Sequence, residues 1–237
     1  MKIENFSDIG EVQFVQSVRA KYIRISLNGS DGIRVTVPTR ASNEKAIDFV
    51  KSKIDWIRQK QSQMAQKYTK TVFTPDTDFS TRNRQVQLMP WKSQQFRAQL
   101  SKDTLKIFFP HDIELLSNTT QEIIRNYIIN TLREEAKEYL PERTRQLASE
   151  YGFSYRNVVV KNITSRWGSC SSENNINLNI HLVRLPEYLS DYVILHELTH
   201  TIHKNHGIHF WQYLNKITDG KAKQLDKAMK KYVVTDF

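Results

Sequence analysis

The sequence predicts an α+β fold built from a β-rich N-terminal region and a second region of helices and strands. Strands are predicted where polar and apolar residues alternate, and helices where apolar residues recur at intervals of three and four. We expect residues 1–115 to form the β-rich region with one long helix, and residues 116–237 to form the second region. A chain of 237 residues with 39% hydrophobic residues can bury a core without disulfides.

The first region is predicted to contain a hairpin, a helix and three more strands. Residues 21–27 (KYIRISL) and 33–37 (IRVTV) alternate, and NGSDG between them supplies turn residues. A single amphipathic helix is predicted over Asn43–Gln66, with Ser42 or Asn43 as its N-cap. Further alternating stretches predict strands over 84–90, 94–100 and 104–110.

The second region is predicted to begin with a long helix over Thr119–Tyr151, because Thr119 and Glu122 have capping-box spacing. Strands over 157–163 and 174–180 follow, separated by the polar stretch TSRWGSCSSE. A helix starting near Pro186 and two short ones, 208–217 and 222–232, complete the chain. Because IRVTVP and LKIFFP each precede a predicted helix, a strand-strand-helix duplication is a further hypothesis.

Charge and cysteine content limit the classes of protein. The net charge is +10, from 35 basic and 25 acidic residues, which would attract anions such as nucleic acid or nucleotides. Binding to nucleic acid is not favoured, because the basic residues are spread along the chain. Cys170 is the only cysteine, so no internal disulfide can form. Without a signal-peptide pattern or a run of about 18 apolar residues, we expect a cytoplasmic protein with no membrane insertion.

Five of the seven histidines lie in the stretch HELTHTIHKNHGIHF, from His196 to His209. A helix places His196 and His200 one turn apart on one face, where both imidazoles can bind one divalent ion. Glu197 lies at the flank of that face, where a carboxylate can deprotonate a metal-bound water. The alternative is that both histidines only line a helix. The apolar helix and the histidines that follow favour a metal site.

The third ligand could be His203, His206, His209 or a distal carboxylate. If the helix continued, His203 would lie about 10 Å along the axis from His196, which is poor geometry for a tetrahedral ion. The segment KNHG permits the chain to turn back, so His206 is favoured. Zinc is the predicted cofactor, although cobalt, nickel or manganese could occupy the same ligands.

Two histidines and the cysteine have competing interpretations. His203 either compensates the dipole at the helix end or assists the reaction by stabilising charge or donating a proton. His209 is interpreted as a surface residue of the next helix, with the same alternative. Cys170 is interpreted as structural, because a zinc-bound water leaves no need for a thiol nucleophile.

Residues 157–215 resemble the YgjP-like metallohydrolases, a family related to the WLM and SprT-type zincin-like peptidases. The resemblance is carried by RWGSCS, INLN, DYVILHELTH and NHGIHFW. It implies a zincin-like catalytic region in which His196, His200 and His206 bind zinc and Glu197 is the catalytic base.

The resemblance also implies that RWGSCS lies beside the active-site cleft. Arg166, Trp167 and Ser169 of this segment are candidate substrate-binding residues, and His203 is added as a residue that could assist the reaction. Arg166 could meet an oxyanion or a phosphate, and its alternative is an ion pair with Glu173. The alternative role for Trp167 is packing around the helix rather than contact with the substrate. The INLN strand, if it is a sheet edge, could pair with an extended peptide.

The favoured function is a zinc-dependent hydrolase, a metallopeptidase that acts on a peptide or protein. A nucleotide substrate is the first alternative, because some members of the resembling family are described as nucleoside triphosphate (UTP) pyrophosphatases. The second alternative is a nucleic-acid-associated module with a structural zinc. That module would not need Glu197, and its zinc would have four protein ligands, whereas the predicted set has three.

Overall fold

The computed structural model describes residues 2–28, 32–67 and 71–234. It confirms the α+β class. The chain divides into two compact units, Met1–Lys70 and Thr71–Thr235, each with a hydrophobic core of its own. The sequence predicts a boundary after residue 115. The observed boundary follows residue 70, so the three strands between residues 85 and 110 belong to the second unit. Those strands stay with the second unit because their buried residues, such as Ile107, belong to the same core as Ile124.

The first unit is one sheet covered by two helices. Its strands are β1 (Lys2–Phe6), β2 (Gly10–Ser17), β3 (Arg24–Asn28) and β4 (Gly32–Pro38), in the order β1-β2-β4-β3. Its helices are α1 (Asn43–Lys51) and α2 (Ile54–Lys67). The predicted hairpin is β3 and β4, although residues 29–31 of its turn lie outside the described residues. Strands β1 and β2 were not predicted.

The single helix predicted over Asn43–Gln66 is two helices. Its predicted cap is present, since the Ser42 hydroxyl accepts a hydrogen bond from the backbone of Lys45 at 3.3 Å. The break follows from Ser52, whose hydroxyl donates to the carbonyl of Phe49 at 2.8 Å. A serine bond to the backbone competes with continuation of the helix.

The second unit contains two three-stranded sheets and four α-helices. The strands are β5 (Gln85–Trp91), β6 (Arg97–Leu100), β7 (Thr104–Pro110), β8 (Asn157–Lys161), β9 (Gly168–Cys170) and β10 (Asn175–Asn179). The helices are α3 (Asn118–Tyr151), a 3-10 helix (Ile180–Arg184), α4 (Glu187–Thr199), α5 (Ile208–Ile217) and α6 (Ala222–Met229). Among the helices described, none is long and apolar enough to cross a bilayer.

The long helix α3 begins at a different cap from the predicted one. The Ser117 hydroxyl accepts the backbone N–H of Thr120, so the helix starts one residue before Thr119. Gly152 ends it with φ of 70°, a left-handed conformation that glycine adopts easily. The apolar face predicted from Ile124, Ile128 and Leu132 is fully buried.

One pairing rule recurs in the sheets. In each of three sets of strands, the last strand of the set pairs in parallel with the first and antiparallel with the second. The three sets are β2, β3, β4; then β5, β6, β7; then β8, β9, β10. Each last strand is followed by a helical segment. The duplication considered from the sequence therefore has three topologically equivalent units, and their common origin stays a prediction.

Candidate metal centre

The histidine motif spans the end of α4. Apolar residues such as Leu189, Ile194 and Leu198 are buried on this helix and anchor it in the core. His196 and Glu197 lie in its last turn, and His200 is the C-cap. The chain then turns, and α5 begins at Ile208 after a Gly207 N-cap.

This turn brings three imidazoles together. The Nε2 atom of His206 lies 2.9 Å from Nε2 of His196 and 3.1 Å from Nε2 of His200. Zn–N bonds of about 2.0–2.1 Å in a tetrahedron imply nitrogen separations of about 3.3 Å, so the spacing fits a zinc ion closely. Within the described part of the chain, no further histidine, cysteine or carboxylate joins this group.

Hydrogen bonding and burial prepare the imidazoles to bind a cation. The Nδ1–H of His200 donates to the carbonyl of His203 at 3.0 Å, which leaves Nε2 as the lone-pair donor. Burial, with the neighbouring His200 and His206, lowers the pKa of His196 to about 4. Burial also lowers the pKa of His200. Neutral imidazoles are the form that binds metal, so the donor set fits zinc.

Phe210, which the sequence analysis did not single out, supports all three imidazoles. Its ring is fully buried, with its centroid 4.9 Å from that of His196, 4.6 Å from His200 and 4.7 Å from His206. The available signal was its place on α5, four residues after His206. An aromatic side chain at that spacing faces back toward the turn.

Glu197 lies beside this group in a dry environment. The residue is 6% exposed, and burial raises the pKa of its carboxyl to about 7, although the charge of Arg166 acts to lower it. Gly168 of β9 was also missed by the sequence analysis. A Cβ there would lie 2.8 Å from Cγ and 2.9 Å from Oε1 of Glu197. A side chain at this position would therefore displace the carboxyl group of Glu197.

His203 and His209 lie outside the group of three. Their rings stack on each other, with centroids 6.3 Å apart and an angle of 27° between the planes. His203 instead contributes its backbone carbonyl, which holds His200. His203 therefore positions the His200 imidazole through its backbone carbonyl, a role that the spacing of the histidines does not indicate.

The RWGSCS segment lies next to Glu197. Arg166 is exposed, close enough for its charge to act on Glu197. Its alternative ion pair with Glu173 is not formed, because Glu173 pairs with Arg156 at 2.6 Å. Within the described residues, Arg166 forms no ion pair, so its charge is available to a ligand as well as to Glu197.

Trp167 and Ser169 are held by the surrounding sheet. Trp167 is half-buried and packs against the core, and its carbonyl accepts the backbone N–H of Asn179 at 2.9 Å. The Ser169 hydroxyl accepts a hydrogen bond from Asn177 at 3.3 Å. Burial raises the pKa of the Cys170 thiol, which disfavours the reactive thiolate.

The edge strands of the sheet are β8 and β9, and the INLN strand lies between them. The order is β8-β10-β9, so β10, which contains INLN, is paired on both sides. The prediction of INLN as a peptide-pairing edge is wrong, because strand β9 was read from the sequence as a loop. The edge beside the metal group is therefore Gly168–Cys170.

Comparisons with known proteins complete the description of the site. The chain matches the family described as YgjP-like, metallopeptidase domain, over residues 21–232. The metallopeptidase zymogen of Pyrococcus abyssi abylysin is 23% identical, with 38% of this chain and 91% of that chain covered and a TM-score of 0.34. The metallopeptidase zymogen of Methanocaldococcus jannaschii jannalysin is 24% identical, with 38% and 92% covered and the same TM-score of 0.34. No curated protein matches the chain.

Proposed function

Because the chain belongs to the YgjP-like metallopeptidase family, we propose that it is a zinc-dependent hydrolase that cleaves peptide bonds. The observation that carries the proposal is the convergence of three imidazole Nε2 atoms beside a buried carboxyl group. His196, His200 and His206 would hold the ion, and Glu197 would be the general base. Bound there, zinc would supply a Lewis acid and a water of lowered pKa.

The raised pKa of Glu197 suits a group that both takes and gives a proton near neutral pH. Its carboxylate would accept a proton from the attacking water and deliver it to the departing amine. Arg166 would favour the ionised carboxylate before the reaction. Gly168 would let the carboxyl group lie against the strand without a steric clash.

The edge strand β9 supports a peptide as the substrate. Its inner side pairs with β10 from Cys170 to Gly168, and no strand among the described residues pairs with its outer side. An extended peptide could add to this edge by main-chain hydrogen bonds. Such pairing would position a peptide bond beside Glu197, which touches the first residue of the same strand.

The test compares wild type with Glu197→Gln in parallel assays. Zinc content is measured by elemental analysis, and turnover is measured with casein-derived peptides and with nucleoside triphosphates. We expect both proteins to bind one zinc, and only wild type to cleave peptides. His206→Ala should lose zinc as well as turnover, because it removes one of three ligands.

Two outcomes would replace the proposal. Cleavage of UTP without cleavage of peptides would favour the pyrophosphatase, for which the exposed Arg166 offers a phosphate partner. If both proteins bind zinc and Glu197→Gln has the same measured properties as wild type, the result would favour a nucleic-acid-associated module with a structural zinc.

A further inference from the structure

The outer face of the β5-β7-β6 sheet gathers cations and aromatic rings from three strands. The opposite face carries Val86, Leu105 and Ile107, which are buried in the core. Side chains alternate between the faces of a strand, and paired residues share a face. The outer-face residues used below, which we name the outer platform, are Gln87, Met89, Arg97, Gln99, Lys106 and Phe108.

The outer platform is open and cationic. Arg97, Gln87 and Gln99 are exposed, and Met89 is 39% exposed. Arg97 pairs across the strands with Phe108, whose ring centroid lies 5.5 Å from that of Trp91. No residue of these three strands is acidic. Within the described residues, neither Arg97 nor Lys106 is in an ion pair.

The cations and one glutamine of this face, without the aromatic rings, recur at corresponding positions of the first unit. The second residue of each central strand is its first buried one, Ile33 in β4 and Leu105 in β7. The next residues, Arg34 and Lys106, face outward. Two neighbouring positions on this face also correspond. Gln13 pairs with Arg34 as Gln87 pairs with Lys106, and Arg24 occupies the position of Arg97.

We propose that the outer platform binds single-stranded nucleic acid. Cations bind backbone phosphates, and aromatic rings beside them stack on bases without selecting a sequence. Phe108 of the platform and the adjacent Trp91, both half-buried, supply the rings. Arg97 and Lys106 supply the cations, and the glutamines supply hydrogen bonds. The first unit, which has the cations but not the two aromatic rings, would bind phosphates more weakly. This function is separate from hydrolysis and does not depend on zinc.

The experiment measures binding of a fluorescent single strand of about 16 nucleotides, the upper end of site sizes for one binding domain. Anisotropy is recorded from low to physiological salt with the full chain. The test variant is Arg97→Gln with Lys106→Gln. The matched control is Lys223→Gln with Lys227→Gln, which removes two exposed charges from α6. Circular dichroism and zinc content establish that each variant is folded.

We expect the test variant to bind roughly tenfold more weakly than the control at low salt. The slope of log affinity against log salt should fall by about 1.4, because each single-strand phosphate contact contributes about 0.7. The exchange Arg97→Lys with Lys106→Arg keeps both charges and should retain binding. Phe108→Leu should weaken binding of the oligonucleotide but not of heparin, a polyanion without bases.

Three results would overturn the proposal: no binding by wild type at low salt, equal affinity of the test variant and the control, or an unchanged oligonucleotide affinity in Phe108→Leu. Vesicles containing phosphatidylserine are tested in the same buffer. Capture by vesicles without oligonucleotide binding would assign the face to a membrane surface and would also reject the proposal.

Discussion

At the scale of single residues, the close approach of Gly168 to Glu197 sets the position of the carboxyl group. A methyl group at 168 would lie 2.8 Å from Cγ of Glu197, so Gly168→Ala must displace that side chain. We expect a loss of kcat on the order of 10²-fold, because small misplacements of reacting groups cost that much. Peptide turnover and zinc content are the measurements, and zinc content should not change.

Gly207→Ala is the control for this substitution. Gly207 also adjoins a histidine of the group, but no atom of the described residues lies within 4 Å of an added Cβ. Its φ of −76° is ordinary. Equal losses of turnover in the two variants would contradict the steric explanation.

Phe210 is expected to set the affinity for zinc without touching the ion. Phe210→Ala removes the ring that contacts three imidazoles and leaves a cavity, so we expect weaker zinc binding and a loss of about 3–5 kcal/mol in the free energy of unfolding. Titration with zinc and a competing chelator measures the first effect. Phe210→Leu fills much of the space and should lie between wild type and Phe210→Ala. If Phe210→Ala bound zinc with wild-type affinity, the three imidazoles would not depend on the Phe210 ring for their positions.

The carboxyl group of Glu197 should titrate near pH 7 in the metal-free protein. Burial raises its pKa from 4.5, so the neutral form is favoured in the folded state. This contribution to stability is complete below pH 4.5 and is lost as the pH rises through 7. Infrared difference spectra between wild type and Glu197→Gln would detect the protonated carboxyl. Zinc, as a cation, should lower the pKa, and Arg166→Gln should raise it further.

The sequence predicted the three converging histidines because helix periodicity and one turn relate them locally. It did not predict Gly168 or Phe210, since their roles come from contacts with residues distant along the chain or across a turn. Nor did it reveal that the ring of His203 lies outside the metal group while its carbonyl accepts a hydrogen bond from His200.

At the scale of elements, the metal-bearing helix is fastened to α3 by a bidentate ion pair. Arg143 donates to Asp191 through Nε at 2.8 Å and through a terminal nitrogen at 2.6 Å. Both side chains are less than a third exposed. We expect Asp191→Ala to lower the free energy of unfolding by about 1–3 kcal/mol, because a charge-assisted pair is lost. Thermal melting measures this effect.

The exposed pair of Arg145 and Glu142 on α3 is the matched comparison. Glu142→Ala should leave the melting temperature unchanged, since exposed pairs contribute little. A larger effect from Glu142→Ala than from Asp191→Ala would show that burial does not decide the strength of these pairs.

The ends of helices and strands are predictable where neighbouring residues carry a signal. They are not predictable where an element depends on hydrogen bonds to another strand. The long periodic face of α3 predicted that helix to within two residues of each end. Strand β9 is only three residues long and lies in a polar stretch, so its pairing with β10 could not be read from alternation. Serine bonding at residue 52 divided a helix whose periodicity continues across the break.

At the scale of the whole molecule, two separate cores predict a fragment that keeps the metal site. The core of the second unit contains buried residues from Phe73 to Met229 and none from the first unit. We expect residues 71–237 to fold alone and to bind zinc with the stoichiometry of the full chain. Residues 116–237 should not fold, because they lack the sheet that covers α3.

Circular dichroism and elemental analysis of both fragments are the measurements. A folded, zinc-binding fragment from residue 116 would support the boundary expected from the sequence and contradict the division at residue 70.

The pairing pattern that the three sets of strands share allows their residues to be compared position by position, including the third set, which lies beside the metal group. When the three central strands are aligned on Ile33, Leu105 and Ile176, the strand that pairs antiparallel offers Ile25, Ala98 and Gly168 at corresponding places. The side chains at these three places have four carbons, one carbon and none, respectively. In the third set, the absence of a side chain at Gly168 leaves room for the carboxyl group of Glu197, which belongs to α4. If the three sets share an origin, the loss of one apolar side chain opened the space that this carboxyl group occupies.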